Sequence, residues 1–126
     1  MKPETGKFLA QADDFLNDAR YLFQGGRYKG TANRAYYAMF ATVQALLFEK
    51  GVFAKTHQGM QHQFNELYIR TQQFPLSFAK QFKKAYEKRQ VSDYAADSLI
   101  LEEEAEQLLI AATEFLESER DFLEKK

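Results

Sequence analysis

An arginine at position 89 is followed, after Gln90-Val91-Ser92, by Asp93-Tyr94, which groups a cation, a carboxylate and a phenol within a short span. A guanidinium offers a planar fork of donors that suits a phosphate. A carboxylate four residues on either orients that fork or neutralises it as a structural ion pair. Two further stretches carry polar chemistry. Asn33-Arg34-Ala35-Tyr36-Tyr37-Ala38-Met39-Phe40 sets amide, cation and aromatic groups on a helix that otherwise reads as core, and Lys55-Thr56-His57 sets an imidazole at the mouth of another. An imidazole takes a proton near neutral pH, so His57 reads either as a general base or as a ring satisfied by a helix end. The Tyr36-Tyr37 pair reads as core and interface or as a stacking platform for bases. Lys80, Lys84 and Lys88 read as a solvated face partnered by an acidic last helix, and His62 as exposed.

Other chemistries lack their residues. Cysteine is absent, which rules out disulfides and thiolate metal sites and suits a reducing cytoplasm. Two histidines without a Glu-x-x-His motif make a poor metal site, so no metal is expected. No glycine loop cradles a phosphate, and no cofactor is called for. With 17 Lys and Arg against 18 Asp and Glu the net charge is -1, so a nucleic acid must be held by a local patch. No helix carries the basic or amide-rich face that reading DNA requires. Met1-Lys2-Pro3-Glu4 lacks the apolar run of a signal peptide. No stretch approaches the ~20 apolar residues of a membrane span, so no membrane association and a cytoplasmic location are expected.

These groups must be positioned by helices. Phe8, Ala12, Phe15, Leu16, Ala19, Leu22 and Phe23 form one apolar stripe from about Glu4 to Gln24, ended by Gly25-Gly26. A second helix, from about Arg27 to Lys50, carries an aromatic and aliphatic stripe and a small-residue stripe through Gly30, Ala38, Ala41 and Ala45, so it should be central. The small-residue stripe is read as a face for a second copy of the chain. A shorter helix runs from Thr56, its N-cap, to about Thr71, and a fourth starts at Pro75. Residues 90–100 lose periodicity and read as a loop. The last helix, about Leu101 to Leu123, is acidic outside and turns Leu101, Ala105, Leu108, Ala112, Phe115 and Leu116 inward. The whole predicts an all-α fold over residues 1–126 as a single domain, an up-and-down four-helix bundle with one additional short helix. Matching levels between antiparallel neighbours puts His57, Arg89, Asp93 and Tyr94 at one end. Asn33 and Arg34 then lie about two dozen ångströms away, as a second site.

The order Asn33 to Phe40, then Leu46-Leu47-Phe48-Glu49-Lys50-Gly51, Lys55-Thr56-His57, and Arg89 with Asp93-Tyr94 resembles the HEPN superfamily, in particular its small stand-alone prokaryotic members. The resemblance implies a bundle that commonly forms a homodimer, and a nucleotide or RNA as ligand. Many such proteins are metal-independent endoribonucleases acting as toxins. Others pair with a small nucleotidyltransferase that attaches AMP to a tyrosine. The family's ribonuclease motif is an arginine followed four to six residues later by a histidine, drawn from both protomers. Here Arg89 is matched, but Asp93-Tyr94 follows and no histidine lies beyond His62.

The leading expectation is therefore a dimeric nucleotide- or RNA-binding module, paired with a nucleotidyltransferase in a toxin–antitoxin-like system. Arg89 and Asp93 would hold phosphate with Asn33, Arg34, Tyr37 and Lys55, and Tyr94 would be modified or hydrogen-bonded. The alternative is an endoribonuclease using His57 as base, Arg89 on phosphate and Tyr94 beside them. A third reading is a structural interaction domain whose arginines only form ion pairs.

Overall fold

The structure, a computed structural model, describes residues 1–94 and 98–125, and of Tyr94 the backbone alone. Five α-helices follow one another: α1 (Pro3–Gln24), α2 (Tyr28–Glu49), α3 (His57–Phe64), α4 (Leu76–Tyr94) and α5 (Glu102–Glu124). A π-helical turn, Asn65–Ile69, extends α3, and no strand occurs among the described residues. The fold is the all-α bundle that the apolar periodicity predicts.

The helix ends follow from local chemistry. Gly26 and Gly51 take φ of 73° and 71°, a left-handed conformation that costs glycine nothing. Each lets the next amide reach back to a terminal carbonyl: Arg27 N–H donates to Leu22 O at 2.8 Å, and Val52 N–H to Leu47 O at 2.9 Å. Thr56 caps α3 by accepting from Gly59 N–H at 3.0 Å. At the start of α5, Leu101 N–H donates to Glu104 Oε1 at 3.0 Å, and Glu102, Glu103 and Glu104 stand where the helix dipole favours negative charge.

Helix α2 is central and touches α1, α3, α4 and α5. Ala32, Ala35, Ala38, Ala41 and Ala45 are all buried, and their small side chains let neighbouring backbones approach. A Cβ on Gly30 would lie 3.0 Å from the Leu22 side chain of α1. The small-residue stripe is thus filled within one chain and offers no face to a second copy. Phe64, Phe82 and Phe115 pack edge to face and offset across α3, α4 and α5, all fully buried.

Two expectations are corrected. Residues 90–94 are helical, because α4 continues to Tyr94. There the Arg89–Asp93 pair and a Ser92 Oγ bond to Arg89 O, 3.0 Å, support turns that lack an apolar stripe. Residues 95–97 lie outside the described residues. The second correction concerns direction. His57 meets Tyr36, while Tyr68 donates to Leu46 O at 2.5 Å, so α3 and its π turn run parallel to α2 rather than back along it. Val52 to Thr56 make the return. Five residues reach roughly 17 Å, which matches the roughly 16 Å that α2 rises between Tyr36 and Leu47.

Candidate functional site

That return strap delivers Lys55 and His57 to the face of α2 that carries Tyr36, Tyr37 and Phe40. Together with Tyr86, Arg89 and Gln90 of α4 they line an open cleft of about 390 Å³. The His57 ring stacks on Tyr86, with centroids 3.9 Å apart and planes 7° apart, and its Nδ1 lies 3.0 Å from the Tyr36 hydroxyl. The Arg89 guanidinium carbon sits 5.6 Å from the Tyr36 ring and 5.3 Å from the Tyr37 ring, near enough for cation–π attraction.

Arg89 Nε donates to Asp93 Oδ2 at 3.0 Å, and Asn33 Nδ2 donates to the same oxygen at 3.1 Å. One carboxylate therefore ties α2 to α4 and fixes the arginine. This overturns the separation of Asn33 from Arg89. Because the strap brings His57 down α2 by about 11 residues of helix, Asn33, Arg89, Asp93 and His57 gather at one level. The Arg89 side chain keeps 15% of its surface exposed.

Arg34 goes elsewhere. Its guanidinium lies over the Phe15 ring of α1 at 5.6 Å, and Phe15 in turn touches Tyr37 at 5.7 Å, so Arg34 flanks the cleft without lining it. The Tyr94 side chain lies outside the described residues. The lysine row divides as well. Lys88 pairs with Glu104 of α5 as expected, and Lys84 lines the same α4–α5 crevice, but Lys80 turns towards α3.

The charge of Arg89 and the burial of its neighbours set the protonation states in the cleft. Burial, and then the Arg89 charge, lower the His57 pKa to about 4, so the ring is neutral at neutral pH. Burial foremost raises the Tyr36 hydroxyl above its ordinary value, against the opposing pull of Arg89. The Tyr36–His57 contact is thus a hydrogen bond between two neutral groups. An anion entering beside Arg89 would offset the smaller of the two causes acting on His57 and leave burial in force. Among the described residues no group of three or more His, Asp and Glu is placed to hold a metal ion. No helix there is long and apolar enough to cross a membrane.

Sequence reasoning missed Tyr86 as a site residue. It lies on the apolar stripe of α4, where an aromatic that packs in the core and one that walls a cleft read alike. Its position three residues before Arg89, on the same helical face, was the available signal.

The model of the HEPN domain matches residues 5–122. The chain belongs to the HEPN family. Among its relatives, a Methanocaldococcus jannaschii protein named "Putative toxin MJ0142" is 33% identical over 125 residues, covering 99% of this chain and 85% of that protein. A UPF0332 protein of Thermotoga maritima is 30% identical over 114 residues, covering 90% and 86%. A second M. jannaschii protein, "Putative toxin MJ0605", is 29% identical over 117 residues, covering 93% and 87%. Within this HEPN chain the polar residues that carried the resemblance, Asn33, Arg89 and Asp93, are bonded to one another.

Proposed function

We propose that this HEPN protein is the toxin-like, nucleotide- or RNA-binding member of a toxin–antitoxin-like pair, with a nucleotidyltransferase as its partner. The observation that carries the reading is a guanidinium set against an adjoining pair of tyrosine rings, oriented by Asp93 and lining an open cleft. Such an arrangement holds a phosphate, while the partly exposed Tyr37 ring, unlike the buried Tyr36, can meet a base. Lys55 and Asn33 add a cation and an amide at the rim, and Arg34 a second cation across Phe15. The names of the two M. jannaschii relatives support the toxin-like part.

The protein works as a homodimer in this reading. The alanine stripe being buried, the surface chosen for a partner copy is the α4–α5 end, where Val91, Leu99 and Leu101 are more than half exposed beside the cleft. That end adjoins Arg89, so two clefts would face each other. A monomer at micromolar concentration in light scattering would refute the dimer.

Calorimetry with AMP and a short RNA tests the ligand. Wild type binds and Arg89→Ala loses at least tenfold in affinity; equal binding by both would remove the phosphate role. An AMP-sized mass increase on Tyr94, after incubation with ATP and a small nucleotidyltransferase, tests the partner.

A ribonuclease reading keeps one specific support: His57 and Arg89 line the same cleft. His57 would take the ribose 2′-hydroxyl proton, and Arg89 would stabilise the charge of the pentavalent transition state. An imidazole held near pKa 4, by burial foremost, is a weak base, which favours binding over cleavage. Cleavage of RNA in EDTA, lost in both His57→Ala and Arg89→Ala, would promote this reading over the binding module.

A further inference from the structure

On the far side of the His57–Tyr86 stack lies a second open cleft, about 560 Å³, between α3 and α4. His57 and Tyr86 line both clefts, so the stacked pair is the wall between them. The second cleft is polar. Gln58, Gln61 and Asn65 of the α3 side face Lys80 and Lys83 of α4 across it. Both lysines are exposed, and neither has a carboxylate within ion-pair distance among the described residues. Lys88, one turn or two further along α4, is neutralised by Glu104. Each cleft is lined by two lysines and one carboxylate, Glu87 in the α3–α4 cleft and Glu104 in the α4–α5 crevice, but only in the α3–α4 cleft does neither lysine form an ion pair among the described residues.

We infer that the α3–α4 cleft is a second phosphate-binding subsite, which takes the continuation of a single-stranded RNA whose first phosphate lies at Arg89. The inference rests on the binding reading of the Arg89 cleft and extends it from a nucleotide to a strand. Lys83 and Lys80 precede Arg89 by roughly 9 and 13 Å along the α4 axis, and Lys80, Lys83, Tyr86 and Arg89 follow at three-residue steps, so the three cations trace a diagonal that winds about half-way round the helix. The two aromatic rings of the wall supply the stacking surface that a strand crossing it needs, and base–aromatic stacking tolerates any sequence. The amides on the α3 side offer donors and acceptors to base edges without demanding one base. A mononucleotide fills one cleft; only a strand uses both.

The test compares AMP, a dinucleotide and an oligoadenylate of about eight nucleotides, a length within the range that single-strand sites span, by calorimetry and fluorescence anisotropy over a salt series. Wild type should gain affinity with length. The Lys80→Ala/Lys83→Ala double variant should keep AMP affinity and lose most of that gain. Its salt slope should fall by about 1.4, two single-strand phosphate contacts at roughly 0.7 each. Arg89→Ala should weaken every ligand. A length gain untouched in the double variant overturns the subsite and leaves the Arg89 reading standing. So does a wild type that binds AMP with no gain on lengthening, or an acidic peptide that takes the cleft where RNA does not. A wild type that binds none of these overturns both.

Discussion

Glu119 of α5 has no exposed surface, and neither of its carboxylate oxygens has a hydrogen-bond partner among the described residues. Burial holds its carboxyl well above the ordinary range, so it is carried as the neutral acid. A buried polar group without a partner costs about 1–3 kcal/mol. Glu119→Leu removes that cost and adds apolar burial, so it should stabilise the bundle by at least about 1–3 kcal/mol at pH 7. At about 2.1 cal/mol/K per residue, a chain of this length melts with an entropy near 265 cal/mol/K, so each kcal/mol moves Tm by roughly 4 °C. The expected rise is therefore some 4–12 °C in a calorimetric scan. The pH dependence has a definite sign. Above the unfolded value near 4.5, the folded protein holds a proton that the unfolded chain has released. Stability is then lost as pH rises, by about 1.4 kcal/mol per unit, until the folded pKa is passed. The gap between Glu119→Leu and wild type should widen from pH 5 upwards. A Glu119→Leu variant less stable than wild type, or a gap that stays flat with pH, would refute an unpartnered neutral acid at this position.

His57 contributes with the opposite sign. Its folded pKa of about 4 lies below its ordinary value of 6.5, so its share of stability is complete above pH 6.5 and is lost as acid is added down to about 4. Across that window the urea midpoint of wild type should fall relative to that of His57→Phe, which keeps an aromatic ring on Tyr86 and shares the Glu119 contribution. Gly51→Ala forces a Cβ onto a φ of 71° and should cost about 1–2 kcal/mol in urea unfolding, with α1 and the Arg89 cleft unaffected by hydrogen exchange.

The helices were legible because their signals are local. Glycines at 26 and 51 end α1 and α2, Thr56 caps α3, and three- and four-residue spacing marks each inward face. Leu101 shows where such reading slips: it continues the apolar pattern of α5 but stands outside it as the residue before the first turn, 52% exposed. Glu119 slips the other way, since it falls at the α5 spacing of Phe115 and Leu123, where an apolar residue would be expected. The site was half legible. Arg89 with Asp93 and the pairing of His57 with that end followed from sequence. The bond from Asn33 to Asp93 spans 60 positions, and no pattern along the chain encodes it. It follows only from which way α3 runs, and that is decided by the five residues that precede it.

Those five residues, Val52 to Thr56, act as a ruler. The imidazole's station along α2 depends on how far the strap reaches, not on which side chains fill the core beneath it. Shortening it by one residue would move His57 by about 3.3 Å, roughly two residues of helical rise, out of step with both Tyr36 and Arg89. The spacing of imidazole and guanidinium in a bundle of this design can therefore be retuned by insertion or deletion in one short segment, with Met60 and Phe64 of α3 resettling in the core.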